Sequence, residues 1–212
     1  MLRKKLYEQK IQVMIETDKY TIKETLNHND ILEFIKPWLK KKNIYTISYN
    51  LSVMAGFLVV GAFVGIMLAK GEFNFEIMNQ FLLGVLIGFL IIPIHELLHG
   101  IAYKILGAET VQYRTVWKKL LFYAAAEGFP AGYKEFRFIA LLPFTVITLI
   151  GILLIFLSGF EWTVIMLGFI ITHAACCGGD FGLLSYMYEH KDEEMITIDD
   201  MEKGETYFLV KK

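Results

Sequence analysis

The chain has 212 residues, with 21 Lys and Arg against 22 Asp and Glu and a formal net charge of −1. Hydrophobic residues make up 55% of it and charged residues 20%, so the charges must be segregated from long apolar runs. The near-neutral balance and the lack of a basic, aromatic-interleaved stripe speak against a nucleic-acid partner. The two cysteines, adjacent at Cys176 and Cys177, exclude a disulfide framework.

Uncharged stretches fill 51–69, 77–94, 138–160 and 162–179, the last extending past one Asp to 188. A membrane helix needs about 20 mostly apolar residues to cross roughly 30 Å of hydrocarbon. The expected fold is therefore mainly α: a polytopic bundle of four transmembrane helices at about 50–69, 79–105, 138–158 and 161–188. It carries a small β-hairpin insert and a C-terminal hairpin. Three parts follow: a cytoplasmic N-terminal segment (1–49), a membrane domain (50–188, insert 108–137) and a cytoplasmic tail (189–212). Lys and Arg number 10 in 1–50, six in 100–137 and four in 189–212, against one in 70–78. The positive-inside rule then places both termini and the insert in the cytoplasm of a multi-pass cell-membrane protein. The first 50 residues are too polar for a cleavable signal peptide, so the first span serves as the insertion signal.

In chain order, Thr21 and Glu24 have the spacing of a helix capping box. Asn29 and Asp30 start a second helix through Ile31, Phe34 and Ile35, bent or ended near Pro37. Its apolar face either lies on the membrane or forms a small packed unit. His28 reads as a surface residue. In the first span Gly56, Gly61 and Gly65 predict close helix approach.

The second span holds Pro93-Ile94-His95-Glu96-Leu97-Leu98-His99-Gly100, an H-E-x-x-H motif in an apolar run. On a helix His95 and His99 point the same way, which suits a zinc ion with N, S or O ligands about 2 Å away. Glu96, about 100° round the axis, stands where a zinc hydrolase keeps its general base. Such a cluster is costly in apolar surroundings unless paired or metal-bound. Counted from residue 79, His95 lies ~24 Å along the span, in the cytoplasmic half of the membrane. Pro93 is expected to bend the helix and Gly107 to end it.

Residues 110–117 alternate as a strand, and 119–126 form a second. An edge beside a metal site would suit an extended peptide by strand addition; a purely structural hairpin is the rival reading. Glu109 and Glu127 read as solvated loop acids. The third span opens on Phe138-Ile-Ala-Leu-Leu-Pro143. The fourth ends in Thr172-His173-Ala-Ala-Cys176-Cys177-Gly178-Gly179-Asp180. Asp180 is the only acid between Trp162 and Tyr188, and lies ~29 Å along the span, at a depth like that of the histidines. An ionisable residue inside a membrane is a functional hypothesis by default, so Asp180 is the candidate third ligand. His173 reads as a ligand, an oxyanion donor or a hydrogen-bonded core histidine. The cysteines read as small packing residues, with thiolate ligation as the alternative. In the tail, 195–198 and 206–210 pair as a hairpin, with Asp199 and Asp200 in its turn.

An apolar helix with His-Glu-Leu-Leu-His-Gly, a short β-like insert, a span opening Leu-Leu-Pro and a later Gly-Gly-Asp resembles the bacterial "putative zincin peptidase" family of membrane proteins. More distantly it resembles the site-2 intramembrane metalloproteases, which typically carry Asn-Pro-Asp-Gly where this chain has Gly-Gly-Asp. The resemblance covers about residues 80–190. It implies Zn²⁺, His95, His99 and Asp180 as ligands, Glu96 as catalytic base, and membrane-associated polypeptides as substrates. Two other readings share these residues: a membrane zinc-binding protein without hydrolase activity, and an accessory or interaction protein of the membrane. The oligomeric state has no signature in the sequence.

Overall fold

The structure, a computed structural model, describes residues 19–116 and 121–212. It is mainly helical, with two small sheets, and the helices position the candidate site. α1 spans Ile31–Leu39 and carries Pro37 without ending there. α2 (Ile44–Lys70) starts at Asn43, whose side chain accepts the N–H groups of Tyr45 and Thr46 in a capping box, and stops at Gly71 with φ 69°. That left-handed turn suits glycine because it has no Cβ. α3 (Phe75–Leu90) and α4 (Ile92–Ile105) form a nearly continuous rod with a joint at Ile91. Pro93 supplies no N–H to the α3 carbonyls, which accounts for the joint. Gly107, at φ 94°, closes α4 as its sequence position implied.

α5 (Tyr133–Leu157) begins five residues before the apolar run. The last span is broken: α6 (Phe160–Cys176) and α7 (Gly178–Glu189) meet at 41° instead of forming one straight helix. The Gly178-Gly179 pair, a weak helix former, lets the axis turn. Three helices, Ile44–Lys70, Phe75–Ile105 and Tyr133–Leu157, are long and apolar enough to cross a membrane; the bent pair makes a fourth if taken as one span. Their outward faces are apolar, with Phe57, Leu58, Leu90, Leu149 and Phe156 all exposed.

The closest helix contact is not where the sequence pointed. Among the described residues, Gly61 and Gly65 have nothing within reach of an added Cβ, and one at Gly56 would meet the Ile171 side chain. The tight crossing joins α3 to α6 instead, where Cβ atoms at Gly84 and Gly168 would overlap the backbone carbonyls of Ile165 and Phe81. Gly84 and Gly88, four apart, present one small face to α6, the spacing that allows backbones to touch.

The larger sheet has the order β1-β6-β5-β4, all neighbours antiparallel. Its strands are β1 (Tyr20–Asn27), β4 (Ala131–Gly132), β5 (Ile196–Asp200) and β6 (Glu205–Lys211). The expected capped helix at Thr21 is therefore a strand, running from Tyr20 opposite Lys211 to Asn27 opposite Glu205. A helix cap contributes only about 1 kcal/mol. Here Tyr20, Thr21, Ile22 and Thr25 favour an extended chain, and β6 offers an unpaired edge. The C-terminal hairpin forms, but Asp199 and Asp200, expected in its turn, are the last residues of β5 and pair with Thr206 and Glu205; Asp200 accepts Lys203 N–H in the turn that follows. The sheet packs on α1 and α7 through Leu26, Phe34, Trp38, Tyr186 and Phe208.

The second sheet is the hairpin β2 (Val111–Val116) and β3 (Leu121–Ala126). The strands expected at 110–117 and 119–126 are thus present, apart from residues 117–120, which lie outside the described residues along with 1–18. β3 lies against α4.

Candidate metal centre

His95 and His99 sit one turn apart on α4, and both are buried. The bend at Cys177 brings Asp180, in the first turn of α7, opposite them. His95 Nε2 and His99 Nε2 are 3.0 Å apart, and each lies 3.1 Å from an oxygen of the Asp180 carboxylate. The carbonyl of Ile139 on α5 can only accept, so His99 donates to it from Nδ1 at 2.9 Å. His99 Nε2 therefore turns a lone pair towards the carboxylate. A tetrahedral zinc with bonds of about 2.0–2.1 Å has ligand-to-ligand edges of about 3.3–3.4 Å, close to this triangle. Converging acceptors of this kind fit a cation, and the donor set fits zinc.

The other ring nitrogen of His95 meets His173. His173, only 1% exposed, ends α6 and places Nε2 3.1 Å from His95 Nδ1. Cys177 Sγ lies 3.8 Å from His173 Nε2 and 4.0 Å from His95 Nδ1, so His95, His173 and Cys177 form a second trio able to hold a metal. The Cys177 thiol, however, already donates to the His173 carbonyl at 3.2 Å. Cys176 is exposed.

Glu96 faces the same cavity, and its Oε2 accepts the backbone N–H of Ala124 on β3 at 2.8 Å. Glu109 is exposed and Glu127 accepts Met201 N–H; neither joins the cluster.

The cavity holds about 630 Å³ and extends from the His95–His99–Asp180 triangle to the larger sheet. Its far wall corrects the surface reading of His28, which is 5% exposed. Tyr123 O–H donates to His28 Nδ1 at 2.9 Å, His28 Nε2–H donates to Thr206 Oγ1 at 2.9 Å, and Thr206 donates to Asp199 Oδ1 at 2.6 Å. Burial pushes the His28 imidazole down to about 4 and the Asp199 carboxyl up to about 6. No local pattern around His28 signals this chain, because its partners come from β3, β5 and β6. Tyr103, four residues after His99, also lines the cavity and did carry a signal, its helical spacing.

No curated protein and no solved structure matches the chain. The family described as "Putative zincin peptidase" matches residues 88–194, from the end of α3 to the start of the C-terminal hairpin. On that match, and with the histidine–carboxylate triangle inside it, the chain belongs to the putative zincin peptidase family.

Proposed function

We propose that the chain is a membrane-embedded zinc metallopeptidase that hydrolyses membrane-associated polypeptides. The observation that carries this reading is the convergence of His95, His99 and Asp180 on one point of a cavity that Glu96 also faces. In this reading those three residues hold Zn²⁺ and Glu96 is the general base. Zinc, when bound, supplies Lewis acidity and brings the pKa of the attacking water towards about 7.

The remaining chemistry belongs to the chain. Glu96 takes the proton of the attacking water on its carboxylate and delivers it to the leaving amine. Ala124 N–H holds Oε2, which fixes the rotamer and leaves Oε1 for the proton. Ile139 C=O fixes the tautomer of His99, and His173 orients the ring of His95 from behind. The cavity is largely apolar, and a helical substrate unwinds before its amide is attacked, because helix hydrogen bonds occupy its backbone. β3 is the edge against which the unwound segment lies. The chain sits in the cell membrane with α2, α3–α4, α5 and α6–α7 as four crossings, and the charge asymmetry puts both termini in the cytoplasm.

The test is cleavage of a set of quenched single-span peptides in proteoliposomes, with zinc-loaded wild type beside Glu96→Gln. A fall of about 10²–10⁴-fold with zinc content unchanged supports the reading. Equal cleavage by the variant overturns the role of Glu96. Zinc binding with no cleavage by wild type across the set favours a non-catalytic zinc protein.

A further inference from the structure

Tyr103 stands seven residues after Glu96 and four after His99, so the three share one face of α4. Helical side chains lean towards the N-terminus, which brings the Tyr103 hydroxyl back towards the level of His99. The ring is held firmly. It is 6% exposed, meets Phe129 edge-on at 6.0 Å and 87°, and packs with Ala102, Ala126 and Ile139. Tyr103 lines the same cavity as Glu96, His99, Asp180 and Asp199.

This hydroxyl differs from its neighbours. Tyr123 O–H donates to His28, Tyr186 O–H to Glu24, and Tyr45 and Tyr133 bond each other. Among the described residues Tyr103 O–H has no hydrogen-bond partner. A tyrosine hydroxyl without a protein partner is left free to donate to whatever enters the cavity. An unpaired donor on a residue lining a cavity beside a histidine–carboxylate triangle is suited to a ligand oxygen that gains negative charge.

We propose that Tyr103 is a catalytic residue of this site, donating its O–H to the carbonyl oxygen of the scissile amide; this rests on the peptidase reading. As the water oxygen bonds to the amide carbon, the carbonyl π pair moves onto that oxygen and Tyr103 O–H holds it. The water's proton goes to Glu96 and then to the leaving nitrogen as the C–N bond breaks. Tyr103 stays protonated throughout. A donor placed for that charge stabilises the tetrahedral state more than the planar amide.

The experiment uses zinc-loaded, detergent-purified wild type and Tyr103→Phe, which keeps the ring and removes the hydroxyl. The probes are a capped Leu–Phe phosphinic peptide, which mimics the tetrahedral state, and the matching amide peptide. Phosphinate affinity is expected to fall about 10²-fold in the variant, with amide affinity changed by less than about 3-fold and zinc stoichiometry equal. Phe129→Leu, which loosens the ring but keeps the hydroxyl, is expected to lose less than about 3-fold for either probe. Equal phosphinate affinity in Tyr103→Phe overturns the proposal. So does an equal loss for both probes, or loss of zinc, each of which assigns Tyr103 to the scaffold. Phosphinate binding by neither wild type nor variant removes the peptidase reading itself, and the Tyr103 proposal with it.

Discussion

The backbone N–H of Ala124 donates a 2.8 Å hydrogen bond to Glu96 Oε2, so the hairpin holds the acid of the motif from outside its own helix. That N–H points away from β2, so proline at 124 removes this bond and no ladder bond. Ala124→Pro is expected to keep its zinc and lose about tenfold in turnover, the scale of one charge-assisted hydrogen bond at about 1.5 kcal/mol. Ala124→Gly keeps the donor and should stay near wild type. Peptide cleavage measured alongside elemental analysis decides it; wild-type turnover in the proline variant would show that Glu96 needs no such anchor.

Metal content separates the two trios that share His95. Purified wild type should carry about one zinc per chain, lost in both His99→Ala and Asp180→Ala. His173→Ala should retain zinc with affinity weakened about 10–100-fold, as for a residue that only orients a ligand. Chelator competition measures this. If His173→Ala loses zinc while His99→Ala and Asp180→Ala both retain it, the metal sits with His95, His173 and Cys177 instead.

The α3–α6 crossing leaves no room for side chains at its centre. A Cβ at Gly84 would overlap the Ile165 carbonyl, and a backbone atom cannot swing aside as a side chain can. Gly84→Ala and Gly168→Ala are each expected to destabilise by roughly 1–3 kcal/mol or more, as overpacking does. Gly61→Ala and Gly65→Ala, which meet nothing among the described residues, should lie within about 0.5 kcal/mol of wild type. Thermal unfolding in one detergent compares all four, and equal losses would reject this account of the crossing.

His28 makes stability depend on pH. Its folded value is depressed from 6.5 to about 4, chiefly by burial. Its contribution is therefore complete above about 6.5 and lost as the pH falls towards about 4, at no more than about 1.4 kcal/mol per pH unit. Glu205 and Asp200 oppose the shift and Arg114 reinforces it. Asp199 works the other way: raised from 3.8 to about 6, it contributes fully below 3.8 and loses that contribution as the pH rises through 6. In His28→Gln only the Asp199 trend remains of the pair, so the stability gap between wild type and variant should narrow from pH 7 to pH 4. Denaturant titrations at several pH values test this; parallel curves would show that His28 does not titrate on unfolding.

The residues easiest to see in the sequence are those whose partners lie on the same helix. His95, Glu96 and His99 follow from one period, and Asp180 follows from the depth of a lone acid in an apolar span. The pairing of His173 with His95 was open because nothing local sets where the end of α6 lies against α4. Ala124 was invisible for a different reason: its contribution is a backbone N–H, which any residue but proline supplies. β1 was misread because its partner strand stands nearly the whole chain away, and a local capping pattern cannot weigh an edge that distant. Gly178 and Gly179 let the chain turn, which aims Asp180 at the histidines, and nothing in the sequence alone set that angle.

The pairing of β1 with β6 has a consequence for topology. Hydrogen-bonded strands of one small sheet cannot lie on opposite faces of a bilayer, since an open sheet edge is not tolerated in lipid. Asn27 and Glu205, opposite each other in that sheet, must then share a compartment. If the chain is embedded as proposed above, the segment between them crosses an even number of times, which favours four crossings over three. β4 joins the same sheet between α4 and α5, so the four proposed crossings would fall into two there-and-back pairs. Reporter tags fused at the two ends must agree with each other whichever way the protein inserts, a parity that owes nothing to the distribution of lysine and arginine.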